Sequence, residues 1–255
     1  MGEAVAAKRI QGGGDTAPTR KSESRWARTP HDGAKVIRDG PETRPYSVPR
    51  TTDMTAPAYA ELQITSNFSF LRGAAHPEEL AARAAEIGLA AIAITDRNTL
   101  AGVVRAHLAA RETGLRLVVG ARLDFTDAPG LLCLPTDRAA YGRLSRLITL
   151  GRRRAPKGEC HIGFSDFLDH AQDQIAIALP PETGLPDTDF ADHLGMLAGA
   201  LPSRSYLAGQ NLLRGGDQRR LAALADLAED KDAPLVATND VHYHLAARRD
   251  AQDVL

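Results

Sequence analysis

Cysteine, aromatic rings and long apolar runs are all scarce in this chain of 255 residues. Its two cysteines, Cys133 and Cys160, are too few for a disulfide framework and lack CxxC spacing, so no stapled extracellular scaffold is expected. No stretch approaches the ~18 consecutive apolar residues that cross a bilayer, and the N-terminus has no apolar leader core. A protein of a reducing compartment, the cytoplasm, with no membrane partner, is the expectation. Neither GxGxxG nor GxxxxGK[ST] occurs, which removes support for the common nucleotide folds. An excess of charge is missing too: 31 Lys and Arg stand against 32 Asp and Glu. The overall balance therefore does not advertise nucleic acid.

What is present falls into two parts. Residues 1–57 are rich in Gly, Pro, Thr, Ser and Arg, with basic residues in excess and no apolar period. Such a stretch buries too little surface to offset chain entropy, so it reads as a disordered basic tail, with Met54 an alternative start. From Tyr59 the pattern changes to short apolar strands alternating with amphipathic helices. Strands are expected at 61–66, 90–95, 116–125, 130–134, 174–179, 205–208 and 234–239. Helices are expected near 77–88, 100–113, 137–151, 164–171, 189–200, 217–230 and 246–255. Leu80, Ala84 and Ile87 share one face of the first helix; Tyr141, Leu144, Leu147 and Ile148 share one face of the third. Gly88 and Gly114 follow helix ends, where a left-handed residue is wanted. About seven βα units imply a mostly parallel sheet, and packing them into fewer than ~200 residues favours a closed barrel.

The chemistry of such a fold sits at the carboxyl ends of its strands. The stretch ELQITSNFSFLRG, Glu61 to Gly73, runs from a strand into an Asn-, Ser- and Gly-containing loop, with Phe68 and Phe70 as its apolar anchors. The side chains it offers at Gln63, Thr65 and Arg72 include neither a good metal ligand nor a nucleophile with a visible base. Ser66 and Ser69 have no base at triad spacing, and the adjacency of Cys160 and His161 does not make a catalytic pair. His161, His170, His193 and His244 lack partners at metal spacing.

Read together, TSNFSFLRGA, TDRNTLAGVVRAH, LPTDRAAYGRLSRLITLGRRRA, KGECH and ATNDVHYH resemble the polymerase and histidinol phosphatase (PHP) domains. More narrowly, they are similar to the N-terminal domain of bacterial family C error-prone DNA polymerases. The resemblance covers residues 59–255. It implies a distorted (βα)7 barrel over 58–255, truncated at its C-terminal end. It also implies a parent enzyme that extends primers with dNTPs opposite damaged DNA in damage-induced mutagenesis and translesion synthesis. That enzyme's Mg²⁺-dependent palm and other C-terminal domains would lie outside this chain, as would any further mutagenesis proteins it meets.

The resemblance also implies a metal cluster at the strand ends. Active PHP domains place His-x-His on the first strand, an Asp in the next loop, and TD-His on the second. A Glu follows on the third, and Asp-x-His closes the set. Here those positions hold Gln63 and Thr65, Arg72, Arg97 and Arg122; Asp96 remains before Arg97, and Asp240 and His242 keep the closing Asp-x-His. Guanidinium has no lone pair and stays charged in proteins. A divalent ion ~4 Å from one arginine would be repelled by about 8 kcal/mol at an effective dielectric near 20. The expectation is a barrel without a catalytic metal cluster or active site of its own. Three roles remain open for the arginines: an ion network with Asp96, Asp124 or Asp240, a phosphate or pyrophosphate site, or idle exposure to solvent. A metal-dependent phosphoesterase or 3'-5' exonuclease is the rival reading, and a module docking onto the palm is a third. A basic run, Arg143, Arg146, Arg152, Arg153, Arg154 and Lys157, is a candidate contact for DNA or for the polymerase body, or else a solvated helix end.

Overall fold

The alternating pattern is realised in the computed structural model, which describes residues 58–213 and 215–255. The expected tail at 1–57, with Met54, lies outside the described residues. The strands are β1 (Ala60–Ile64), β2 (Ala91–Ile94), β3 (Arg116–Val119), β4 (Ala121–Leu123), β5 (Leu131–Pro135), β6 (Gln174–Ala178), β7 (Ser205–Gln210) and β8 (Leu235–Thr238). The helices are α1 (Pro77–Glu86), α2 (Val103–Thr113), α3 (Arg138–Arg154), α4 (Phe164–Asp169), α5 (Thr188–Ala200), α6 (Asp217–Asp230) and α7 (Arg249–Asp253). Gly88 and Gly114 do adopt positive φ, 79° and 72°, and stop α1 and α2 as expected. The last predicted helix breaks up instead: a 3₁₀ turn at Ala246–Arg248 precedes the short α7.

The strands form two sheets, β1-β2-β3 and β4-β5-β6-β7-β8. The first is parallel throughout; the second is antiparallel at β4–β5 and β5–β6 and parallel from β6 to β8. Only a short loop joins β4 to β5, too few residues for a crossover, so the two must pair antiparallel. The expected strand 116–125 is broken at Gly120, and its halves serve different sheets. A Cβ at Gly120 would lie 2.4 Å from Leu134 Cδ2 and 3.1 Å from the Cys133 carbonyl. Only glycine lets the chain pass β5 that closely. Two single bridges, Ile64 with Val241 and Arg97 with Arg122, link the sheets at their ends.

Three apolar clusters fill the fold. One packs α1 and α2 against β1 and β2, through Leu80, Ala84, Ile92 and Ile94. A larger one gathers α3, α4, α5 and α6, with Leu144, Leu147, Phe167, Leu194 and Leu224 at its centre. The third draws Leu62, Ala93, Val118, Leu132, Ile177, Ala208 and Val236 from seven of the strands into one shared interior. Two expected face residues escape burial. Ile87 caps α1 and is 44 % exposed, and Tyr141 is 40 % exposed. Phe70 is no anchor either, at 85 % exposed. Polar bonds hold its loop instead.

Candidate functional site

The loop after β1 is fastened by Asp96, the residue two beyond β2. Its carboxylate accepts from the Ser66 amide at 2.8 Å, the Ser66 hydroxyl at 2.7 Å and the Ser69 hydroxyl at 2.7 Å. Burial pushes the Asp96 pKa up, and these bonds push back against that rise. Gly73 closes the same loop: a Cβ there would sit 2.3 Å from the Ser66 carbonyl oxygen. Asp96 therefore pairs with none of the arginines, one of the partners the sequence left open for them. Ser66 and Ser69 are donors to a carboxylate, with no imidazole in the arrangement.

Asp124, just past β4, is where the arginines meet. Arg122 Nε donates to Oδ1 at 2.8 Å, and Arg97 Nη1 donates to Oδ2 at 3.2 Å. Asn98, held at a φ of 49°, brackets the Asp124 backbone: its Oδ1 accepts from the Asp124 amide and its Nδ2 donates to the Asp124 carbonyl. Two half-buried guanidiniums thus share one carboxylate. Arg97 Nε is shielded from solvent and has no hydrogen-bond partner among the described residues. Burial first, and then the Arg122 charge, pull the Arg97 pKa below its ordinary value. Arg97 stays cationic nonetheless, since no shift of this kind deprotonates a guanidinium at neutral pH.

Gln63 and Thr65 are both buried. Gln63 Nε2 donates to Asp240 Oδ1 at 2.8 Å, while its Oε1 accepts from Gln210 Nε2 at 2.8 Å and from the Thr238 hydroxyl at 2.9 Å. One amide ties β1, β7 and β8 together. Thr65 joins the same seam through its backbone amide, which donates to the Val241 carbonyl at 2.8 Å. Asp240 also faces His242 Nε2 at 3.3 Å. Burial works to raise the Asp240 pKa, but the bond and charge of His242, then the Arg122 charge and the Gln63 bond, hold it below the usual range. The bond to Asp240 in turn raises the His242 pKa. Asp240 and His242 are therefore brought together, as the Asp-x-His spacing suggested, and the Asp240 oxygen is already engaged by Gln63. Arg72 is exposed and has no hydrogen bond or ion pair through its side chain among the described residues.

These groups border a cleft of about 660 Å³ whose lining includes Arg72, Arg97, Asp240 and His242. Glu182, Asn211 and Arg249 line it too, and nothing in the sequence pattern singled them out. Among the described residues, no group of three or more His, Cys, Asp or Glu side chains could hold a metal ion. The other histidines lie elsewhere: His161 faces Glu159, and the His170 and His193 rings each meet a backbone carbonyl one turn earlier. Cys160 donates to the Ile148 carbonyl rather than to His161.

The basic run of α3 divides. Arg143 holds Asp173 and the Gln172 carbonyl, Arg154 holds Asp166 at 2.6 Å, and Arg152 donates to the Asn98 carbonyl at 2.9 Å. Arg152 thereby ties the end of α3 to the loop that brackets Asp124. Arg146, Arg153 and Lys157 are exposed and have no such bonds among the described residues.

Comparison with known proteins fits this architecture. Over 203 residues the chain is 54 % identical to an error-prone DNA polymerase of Caulobacter vibrioides, covering 79 % of this chain and 19 % of that protein. It is 46 % identical to error-prone DNA polymerase 2 of Agrobacterium fabrum, and 49 % identical to an error-prone DNA polymerase of Brucella abortus. Those matches cover 78 % and 77 % of this chain and 18 % and 19 % of the relatives. The chain thus spans about a fifth of the length of the curated relatives it matches. Among solved structures, a protein assigned as a metal-dependent phosphoesterase from Bifidobacterium adolescentis aligns with a TM-score of 0.53 at 17 % identity, covering 73 % of this chain and 88 % of that one. An amidohydrolase from Chromobacterium violaceum, solved with bound sulfate and no metal, aligns equally well at 16 % identity and the same coverage. At these identities the two structures speak for the fold alone. The PHP domain model matches residues 61–226, and the chain belongs to the PHP domain family.

Proposed function

We propose that residues 58–255 are the N-terminal PHP domain of an error-prone, DNA-directed DNA polymerase, and that this domain is a scaffold built without a metal cluster. The observation that carries the second half is the shared Asp124: two arginines occupy the strand ends where a cluster would need lone pairs. Gln63 supports it, because its amide spends Asp240 on a hydrogen bond that joins three strands. The residues present do not fit a catalytic zinc or manganese cluster, and no hydrolytic step is routed through one. That argues against the rival phosphoesterase or exonuclease.

The finer architecture belongs to the same proposal. The two bridges and the interior cluster fed by both sheets support closure into a distorted barrel of the (βα)7 type, with β3 and β4 acting as one strand. The first half of the proposal rests on identity to relatives of whose length this chain spans about a fifth. DNA, dNTPs and the Mg²⁺ of a polymerase palm would engage other segments of such a chain, with translesion synthesis in the cytoplasm as the activity. Arg146 and Arg153 on α3 and Lys157 just beyond it, without hydrogen bonds or ion pairs among the described residues, are the residues of the basic run available to touch DNA or the polymerase body.

The test is to read the gene beyond the codon for Leu255 and to express the complete frame. A frame several times longer whose product extends a primer past an abasic template site is expected. A stop codon shortly after Leu255 would contradict the polymerase reading.

A further inference from the structure

We propose that the cleft at the strand ends binds a phosphoryl anion through Arg72 and Arg97. This rests on the metal-free reading above and gives the mouth a ligand of its own. Arg72 lines the cleft, is exposed, and makes no hydrogen bond or ion pair through its side chain among the described residues. Its backbone is nevertheless fixed: the amide donates to the Ser69 carbonyl at 3.0 Å, and the carbonyl meets His242 Nδ1 at 3.3 Å. An immobilised backbone carrying an unemployed guanidinium is a donor fork waiting for an acceptor. Arg97 lines the same cleft with one donor on Asp124 and an Nε that is buried without a partner. That orphan is a cost the fold carries, and an acceptor in the cleft would relieve it.

The charges at the mouth are uneven. Arg72, Arg97 and Arg249 line the cleft against Asp240 and Glu182, and Arg249 shares its charge with Asp253 at 3.7 Å. Asp124 and Asp240 are already engaged by neighbouring donors. Glu182 makes no hydrogen bond or ion pair among the described residues, but its charge acts on Arg97 and would oppose an incoming anion. The Asn211, Asn239 and Gln252 side chains add neutral groups at the rim. A concave site of this sign concentrates a dianion more than a flat surface would. Guanidinium forks favour the tetrahedral oxygens of phosphate.

Free pyrophosphate and a 5'-phosphorylated strand share this chemistry, and the assay separates them. The chain of 255 residues is titrated calorimetrically, in EDTA and at constant ionic strength, with pyrophosphate, with a short 5'-phosphorylated single strand and with the same strand unphosphorylated. Saturable binding of pyrophosphate or of the phosphorylated strand, with the unphosphorylated strand bound weakly or not at all, is expected. Which of the two binds more tightly names the source. Arg72→Ala should weaken binding about tenfold, the loss of one charged fork. Glu182→Gln should tighten it a few-fold, and Arg111→Ala on exposed α2 should leave it unchanged. The opposite signs at Arg72 and Glu182 could not come from a loss of folding. Absence of saturation at millimolar ligand, or equal losses from Arg72→Ala and Arg111→Ala, would overturn the anion site alone. Binding that appears only when zinc or manganese replaces EDTA would overturn both this proposal and the metal-free reading beneath it.

Discussion

Arginines at the strand ends and arginines on α3 obey different rules of pairing. On α3, Arg154 holds Asp166, Arg152 donates to the Asn98 carbonyl, and Arg143 shares Asp173 with the exposed Arg204. At the strand ends, Arg97 and Arg122 divide one half-buried carboxylate, and Arg72 has none among the described residues. The first arrangement is ordinary surface electrostatics, in which each pair is worth little. The second holds surplus positive charge where burial makes it costly, and the fold tolerates it through fixed bonds around Asp124 and Asp96. Surplus charge that is held in place is available for function; charge that is paired off is not.

That contrast can be broken at several points. The largest effect should come from Asp96→Ala, which leaves the Ser66 amide and the hydroxyls of Ser66 and Ser69 without their acceptor. At 1–3 kcal/mol per buried unsatisfied group, a loss of about 3–5 kcal/mol is expected in urea denaturation. A loss below about 1 kcal/mol would mean the loop is not held there. Asp124→Ala should cost less, about 2 kcal/mol, because removing one member of a buried pair is severe but these side chains are partly solvated. High salt should recover part of that loss by screening Arg97 from Arg122.

Next comes a pH effect from Asp240 and His242. The folded pKa of Asp240 is lowered, so its contribution is present above about pH 4 and fades as pH falls through the lowered value. The folded pKa of His242 is raised, so its contribution is full below about pH 6.5 and fades as pH rises through the raised value. The pair should stabilise most between those limits. His242→Asn should remove that maximum from a plot of melting temperature against pH; an unchanged curve would show that the contact does not contribute. Arg154→Ala should come last, at no more than about 1 kcal/mol, although its distance to Asp166 is short.

Much of this was legible in the sequence, and the reasons differ by residue. Strand and helix positions followed from period alone, because burial of one face leaves a repeat in the letters. The arginine substitutions at 72, 97 and 122 were visible once the strand ends were aligned, and so was Asp124 as a candidate partner. The break at Gly120 left no period to read, since it depends on how closely β5 passes. Gln63 reaches Gln210 and Thr238 across the sheet, and an amide in a strand carries no signal of such a partner. Arg152 on the Asn98 carbonyl was equally hidden, so half of the basic run read as one surface is in fact bound up in the fold. Phe70 misled because a large apolar residue in a loop suggests an anchor, whereas hydroxyls and a buried carboxylate do the anchoring.

The most direct test of the metal-free reading is the metal content of the purified chain, measured by elemental analysis after growth with zinc and manganese and brief dialysis. The arrangement of Arg97, Arg122 and Gln63 predicts only trace metal and no phosphoester cleavage that a chelator abolishes. A stoichiometric complement of tightly held zinc or manganese, with chelator-sensitive cleavage, would contradict it.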